Sequence, residues 1–194
     1  MATTIDDPHG GVNRRDFIYI AATAFGAIGA AAAIWPMVDQ MNPDASALSL
    51  ASIDVDLAPI QTGQAITVLW RGKPIFIRNR TADEIQKARA AAVSDLKDPN
   101  AQVMGAPPAL PATDENRTKP GKENWLVMIG ICTHLGCIPK GQAPGDEKGP
   151  YGGWFCPCHG SVYDTSGRIR QGPAPRNLEV PPYQFTGGTK IKIG

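Results

Sequence analysis

The distribution of apolar and polar positions divides the chain into unlike stretches. From Phe17 to Val38 no charged residue occurs, and the run FIYIAATAFGAIGAAAAIWPMV shows no polar face. As a helix it rises about 33 Å, enough to cross a hydrocarbon layer roughly 30 Å thick. A buried core helix would normally keep a polar side, so this run reads as a membrane anchor. Residues 41–49 are small and polar with one proline, and read as a linker. Beyond them short β-prone runs recur, at residues 52–57, 65–70, 73–78, 124–131 and 190–193. The run 73–78 comes close to strict alternation, with Ile75 and Ile77 on one face and Phe76 on the other. Arg71-Gly72, between two such runs, predicts a hairpin turn. One helix interrupts the strands. Thr81 with Glu84 three residues on is a capping-box pattern, and the alanine-rich stretch 85–93 continues it. Residues 98–122, rich in proline, alanine and polar side chains, are expected to form an irregular surface excursion.

Composition agrees with this division. The 194 residues suffice for one ordinary domain and an appendage. The 21 glycines and 18 prolines favour turn-rich β structure over a helix bundle. A net charge of +1 offers no electrostatic footprint for nucleic acid. Local charge is more informative. Arg14 and Arg15 precede the apolar run, while Asp39 and Asp44 follow it and the next basic residue is Arg71. Positive charge stays on the cytoplasmic side, so the N-terminus is expected inside and the remainder outside. Asn13-Arg14-Arg15-Asp16-Phe17-Ile18 also resembles a twin-arginine export signal, which moves proteins already folded around a cofactor and argues for a bacterium. A cleaved signal peptide is the alternative, with Ala31-Ala32-Ala33 as its small-residue site. Its apolar region would usually be only about 7–15 residues long, which favours a retained anchor. The sequon Asn116-Arg117-Thr118 is a weak glycosylation match. The expected organisation is a leader at 1–16, an anchor at 17–38, a hinge linker at 39–51 and a head at 52–194.

The candidate chemistry is concentrated in one region. The chain has four cysteines and three histidines, and all but His9 fall between Cys132 and His159. They lie in Cys132-Thr133-His134-Leu135-Gly136-Cys137 and Cys156-Pro157-Cys158-His159-Gly160-Ser161. A Cys-x-His pair and a Cys-x-x-His pair supply four ligands: thiolates from Cys132 and Cys156, imidazoles from His134 and His159. Two neutral ligands in place of thiolates make an iron–sulfur site less negative and favour its reduced state. Such clusters lie at about −150 to +300 mV, against about −400 mV for plant-type clusters. Cys137 and Cys158 remain, one beside each cluster loop in an oxidising compartment, and a disulfide between them is expected. Three or four cysteine ligands would leave the histidines unexplained. Tetrahedral zinc is the main alternative, but finger sites usually run Cys, Cys, His, His, and here the order is Cys, His, Cys, His. No role is assigned to His9.

These motifs, the arginine-pair leader, the anchor, the hinge region and the segment Gly172-Pro173-Ala174-Pro175 together resemble the Rieske iron–sulfur proteins. More closely, they are similar to the iron–sulfur subunits of cytochrome bc1 complexes. The likeness covers nearly the whole chain and is least anchored at 98–122 and 139–150. It implies a mainly β fold: an antiparallel β-sandwich head with one inserted helix and a cluster-binding subdomain at about 130–176. It implies one [2Fe–2S] cluster, with the inner iron on Cys132 and Cys156 and the outer iron on His134 and His159. His159 would meet quinol at cytochrome b and accept its proton. The head would then turn on its linker to reduce a membrane-anchored c-type cytochrome. Leu135 would lie at the docking tip, Ser161 would hydrogen-bond a bridging sulfide, and Tyr163 a cysteine sulfur. The resemblance further implies a dimeric complex in a bacterial inner membrane with the head on the periplasmic side. The Rieske subunit of another periplasmic oxidoreductase, such as arsenite oxidase, a plastoquinol-oxidising relative, and a zinc-stabilised binding module are the alternatives.

Overall fold

The computed structural model describes residues 13–44, 51–143 and 146–194. Most of the expected leader, His9 included, and linker residues 45–50 lie outside the described residues. The chain divides into an N-terminal unit, Met1–Leu48, and a head, Ser49–Gly194.

The N-terminal unit holds one helix, α1, Arg14–Asp39. Its start is set by a reciprocal cap. The Asn13 side chain accepts from the Asp16 N–H at 3.0 Å, and the Asp16 carboxylate accepts from the Asn13 N–H at 3.2 Å. The expected anchor at 17–38 lies wholly inside this helix. The residues that resemble an export signal therefore also serve as its cap and first turn. No side chain of α1 is buried, so its apolar surface faces whatever surrounds it.

In the head the strands are β1 (Ile53–Asp56), β2 (Ala65–Trp70), β3 (Lys73–Asn79), β4 (Trp125–Ile129), β5 (Gly152–Cys156), β6 (Ser161–Asp164), β7 (Ile169–Gln171), β8 (Tyr183–Phe185) and β9 (Lys190–Ile193). Among the described residues they form antiparallel sheets of three strands, ordered β1–β9–β8, β2–β3–β4 and β5–β6–β7. The β2–β3 hairpin turns at Arg71 and Gly72, with φ of 50° and 73°. Positive φ at both central residues is the tight turn whose twist matches the flanking strands.

The middle sheet explains the layering. Ile75, Ile77, Val127 and Ile129 face the sheet of β1, β8 and β9, and share a core with Leu57, Tyr183, Ile191 and Ile193. Phe76, Leu126 and Met128 face the other way, toward Trp154, Tyr163, Ile169 and Leu178. Alternation along β3 and β4 therefore feeds two cores, one closing the sandwich and one seating the subdomain that carries the cysteine and histidine motifs. Phe76 and Trp154 stack across the second core, ring centroids 6.0 Å apart and nearly parallel. Gly130 is required there, because a Cβ would fall 2.5 Å from the Phe76 ring.

Helix α2, Ala82–Ala90, starts with the expected box between Thr81 and Glu84. It ends earlier than the alanine pattern predicts, and Val93–Asp95 forms a separate 3₁₀ turn.

Residues 98–122 require a correction. They are irregular, as expected, but only in part a surface excursion. Asp98, Ala101, Ala112, Asp114, Arg117 and Thr118 are buried. Arg117 donates to the carbonyls of Ser166, Ala101 and Leu178. Arg80 pairs with Asp114, both side chains fully buried, and Arg168 pairs with Asp164 while donating to the Ala112 and Ala88 carbonyls. The segment looks solvated in sequence because the groups that satisfy its charges lie many residues away along the chain.

Candidate metal centre

Both motif loops spring from strand ends and close in the same way. The first follows β4, and the Gly136 N–H donates to the Cys132 carbonyl at 3.0 Å. The second joins β5 to β6, and the Gly160 N–H donates to the Cys156 carbonyl at 3.0 Å. Each closing glycine has positive φ, 82° and 76°, which an L side chain rarely adopts. The spacing Cys-x-x-x-Gly is thus the local code for a turn that leaves the intervening side chains outside. In the first loop the Cys132 N–H also donates to the Cys137 carbonyl at 2.7 Å.

The turns sort sulfur from nitrogen. Cys132 and Cys156 are buried, each about 2% exposed. His134 is half-buried and His159 exposed, and their rings meet edge-to-face with centroids 4.6 Å apart. Leu135 and Ile138 stand beside them, 69% and 56% exposed. The sulfur atoms of Cys137, Cys156 and Cys158 lie within 4.8 Å of one another.

Strand β6 aims a second set of side chains at the same place. Ser161 and Tyr163 are two residues apart and share a face. The Tyr163 hydroxyl donates to the Cys132 sulfur at 3.2 Å and accepts from the Thr133 N–H at 3.4 Å. The Ser161 oxygen accepts from the Ala174 N–H at 3.1 Å. A third loop, residues 172–177, thereby joins the site. Thr133 ties it to the first loop, donating to the Arg176 carbonyl at 2.6 Å and accepting from the Arg176 N–H at 3.3 Å.

The electrostatics follow from these contacts. Burial alone would raise the Cys132 thiol, but hydrogen bonds from Tyr163, the His134 backbone and the Cys156 and Ser161 side chains outweigh it, and the thiol is lowered. Cys156 is pushed up to about 12, first by burial and then by sharing its site with Cys132. Burial and the neighbouring Cys132 raise the Tyr163 hydroxyl, so it stays protonated and remains a donor. Two buried sulfurs, one already receiving hydrogen bonds, with two imidazoles opposite them at the surface, suit a binuclear iron–sulfur group. Its sulfur side would be sheltered and its nitrogen side open.

Every residue singled out from sequence meets here: Cys132, His134, Leu135, Cys137, Cys156, Cys158, His159, Ser161 and Tyr163. Thr133 was missed as a contributor, although it lies inside the first motif. Asp98 and Asn177, which fasten the third loop from behind, carry no sequence signal, because their pairing spans 79 residues.

Comparison with known proteins supplies the context. The model of the Rieske [2Fe-2S] domain matches residues 86–183. One described as "Ubiquitinol-cytochrome C reductase Fe-S subunit TAT signal" matches residues 4–44. The ubiquinol-cytochrome c reductase iron-sulfur subunit of Rhodospirillum rubrum is 54% identical over 98% of this chain and 97% of its own length. The subunit of the same name from Rickettsia prowazekii is 54% identical over the full length of both chains. Among solved structures, a chain of a hyperthermophilic respiratory Complex III covers 90% of this chain and 98% of its own, at 27% identity and a TM-score of 0.56.

Proposed function

The chain belongs to the family of ubiquinol–cytochrome c reductase iron–sulfur subunits, and from that premise we propose which of its residues hold the cluster, which meet quinol and how the head works. As a family member it is a single-pass, membrane-anchored electron-transfer subunit of the cytochrome bc1 complex. It carries a Rieske [2Fe–2S] cluster and works with cytochrome partners and quinol.

Cys132 and Cys156 hold the inner iron, and His134 and His159 the outer one. The carrying observation is the sorting described above: two buried thiols backed by the Tyr163 hydroxyl, two imidazoles in contact at an exposed tip. When bound, the cluster supplies a one-electron relay whose oxidised form makes the imidazole N–H more acidic. Once that N–H proton has been released, the exposed His159 ring nitrogen can accept a hydrogen bond and a proton from the quinol hydroxyl. Moving the proton with the electron avoids stranding a charge in a low-dielectric contact. Leu135, at the same tip, supplies an apolar docking surface that excludes water from that contact. Ser161 and Tyr163 donate hydrogen bonds to the sulfur side and stabilise added negative charge there. Cys137 and Cys158 form a disulfide that pins the two loops together, as an oxidising compartment permits.

The arginine pair before the anchor and the acidic residues after it support a cytoplasmic N-terminus and a head on the periplasmic side of a bacterial inner membrane. Residues 39–51 act as the hinge on which the head alternates between cytochrome b and a membrane-anchored c-type cytochrome, within a dimeric complex.

Reduced protein with this ligand set gives a rhombic electron paramagnetic resonance signal and two irons per chain. His159→Ala abolishes the signal while circular dichroism stays that of a folded β protein. A colourless protein with one zinc per chain, or an undisturbed signal in His159→Ala, overturns the assignment.

A further inference from the structure

The third loop is tied to the metal centre by Thr133 and Ser161. It is also held from residues 97–100. Lys97 Nζ donates to the Gly172 carbonyl at 2.6 Å, where the loop begins. At its end, the Asn177 N–H donates to Asp98 Oδ2 at 2.9 Å. The Asn177 side chain donates to the carbonyls of Asp98 and Asn100, at 3.0 and 2.7 Å. Asp98 and Asn177 are buried, and Lys97 is exposed. The buried end is fixed by Asp98 and Asn177, while Gly172 follows Gln171, which pairs with Val162 of β6, and its carbonyl takes the Lys97 ammonium.

That end is where the loop presses on the site. Gly172 has φ of +97°, and a Cβ there would fall 2.6 Å from both the Gly160 carbonyl oxygen and the Ser161 Cα. Two residues later the Ala174 N–H occupies a lone pair of the Ser161 oxygen. A hydroxyl that accepts from one side has its own proton free to donate on the other, which is the donation to the sulfur side given to Ser161 above. The position of the loop thus sets the direction of the Ser161 proton.

We propose that Lys97 is a positioning residue for the metal centre: by holding the Gly172 carbonyl it seats the third loop, and through the Ala174 N–H it aims the Ser161 hydroxyl at the sulfur side of the cluster. Lys97 touches neither quinol nor metal. The inference rests on the cluster ligation and Ser161 role given above.

The test is a double-mutant cycle in the assembled membrane complex, read as the cluster midpoint from redox titration followed by electron paramagnetic resonance. Lys97→Met shifts the midpoint negative, and Lys97→Arg, which keeps a charged donor, restores it. In a Ser161→Ala background the Lys97→Met shift shrinks to less than half. An unshifted midpoint in Lys97→Met overturns the proposal. So does an equal shift with and without Ser161, because that is a charge acting through space. An unchanged midpoint in Ser161→Ala alone refutes the role given to Ser161 and this inference with it. A normal Ser161→Ala shift with equal Lys97→Met shifts refutes the inference alone. Lys97 is exposed, so each variant is expected to keep its cluster. A variant that retains its cluster signal only when Ser161 is removed also contradicts the proposal.

Discussion

At the scale of single residues, the centre is tuned by donors and the head is held by buried charges. On the proposed ligation, Ser161 and Tyr163 would favour the more negative, reduced form of the cluster by hydrogen-bonding its sulfur side. A net 0.5–1.5 kcal/mol per bond corresponds to roughly 20–65 mV for one electron. Ser161→Ala and Tyr163→Phe are each expected to lower the midpoint by about that amount, and a redox titration showing neither shift would remove both from the tuning set. The buried arginines give a second prediction. Asp114→Ala strands the fully buried Arg80 guanidinium and should cost about 3–5 kcal/mol in denaturant unfolding. Lys87→Ala removes a pair whose side chains are both 67% exposed and should leave the unfolding midpoint essentially unchanged. Similar losses from the two variants would argue against a buried network that organises the head. The proposed ligand residues stood out in sequence because metal chemistry uses few residue types and its spacings are local. The arginine network was not, because each guanidinium finds its carboxylate or carbonyl only after folding.

Whole elements show where local code ends. The capping box at α2 was readable because Thr81 and Glu84 are three residues apart, and the Arg71-Gly72 turn because its positive φ values suit few dipeptides. The role of Glu84 beyond the box was not readable. Its carboxylate also pairs with Arg78 on β3 and receives the Lys148 ammonium, so one side chain joins helix, sheet and the loop before β5. Burial pushes its carboxyl up, but the hydrogen bonds from Arg78, the Thr81 N–H and Lys148 prevail, and its pKa lies below the ordinary 4.5. A group depressed in the folded state adds stability that is complete above its unfolded pKa and is lost as pH falls through the folded value. Unfolding midpoints in urea should therefore decline as pH drops below about 4.5. Glu84→Gln should flatten that acid limb while lowering stability at neutral pH. An acid limb of unchanged slope in the variant would assign the loss to other carboxylates. Thr81→Ala, which removes only the cap, should cost about 1 kcal/mol at every pH.

For the whole molecule, the mechanism asks one head to serve two partners from one anchor. Replacing Ala45, Ser46 and Ala47 with prolines stiffens any chain at that point. Quinol oxidation by the assembled complex should slow while the cluster spectrum stays unchanged. Full turnover in that variant would mean the head reaches both partners without motion at 45–47. The sequence by itself determined the membrane span, most strand positions, the inserted helix and the metal-binding residue types, because each is written in neighbouring positions: an uninterrupted apolar run, period-two alternation, a cap, a ligand spacing. Only the tertiary structure decided that β3 and β4 bury both faces between two cores, that residues 98–122 sink Asp98, Ala101, Ala112, Asp114, Arg117 and Thr118 into the head, and that a third loop closes on Ser161. Those features depend on pairings between residues far apart along the chain, and no local pattern encodes which distant partner will satisfy a buried charge or an unpaired N–H.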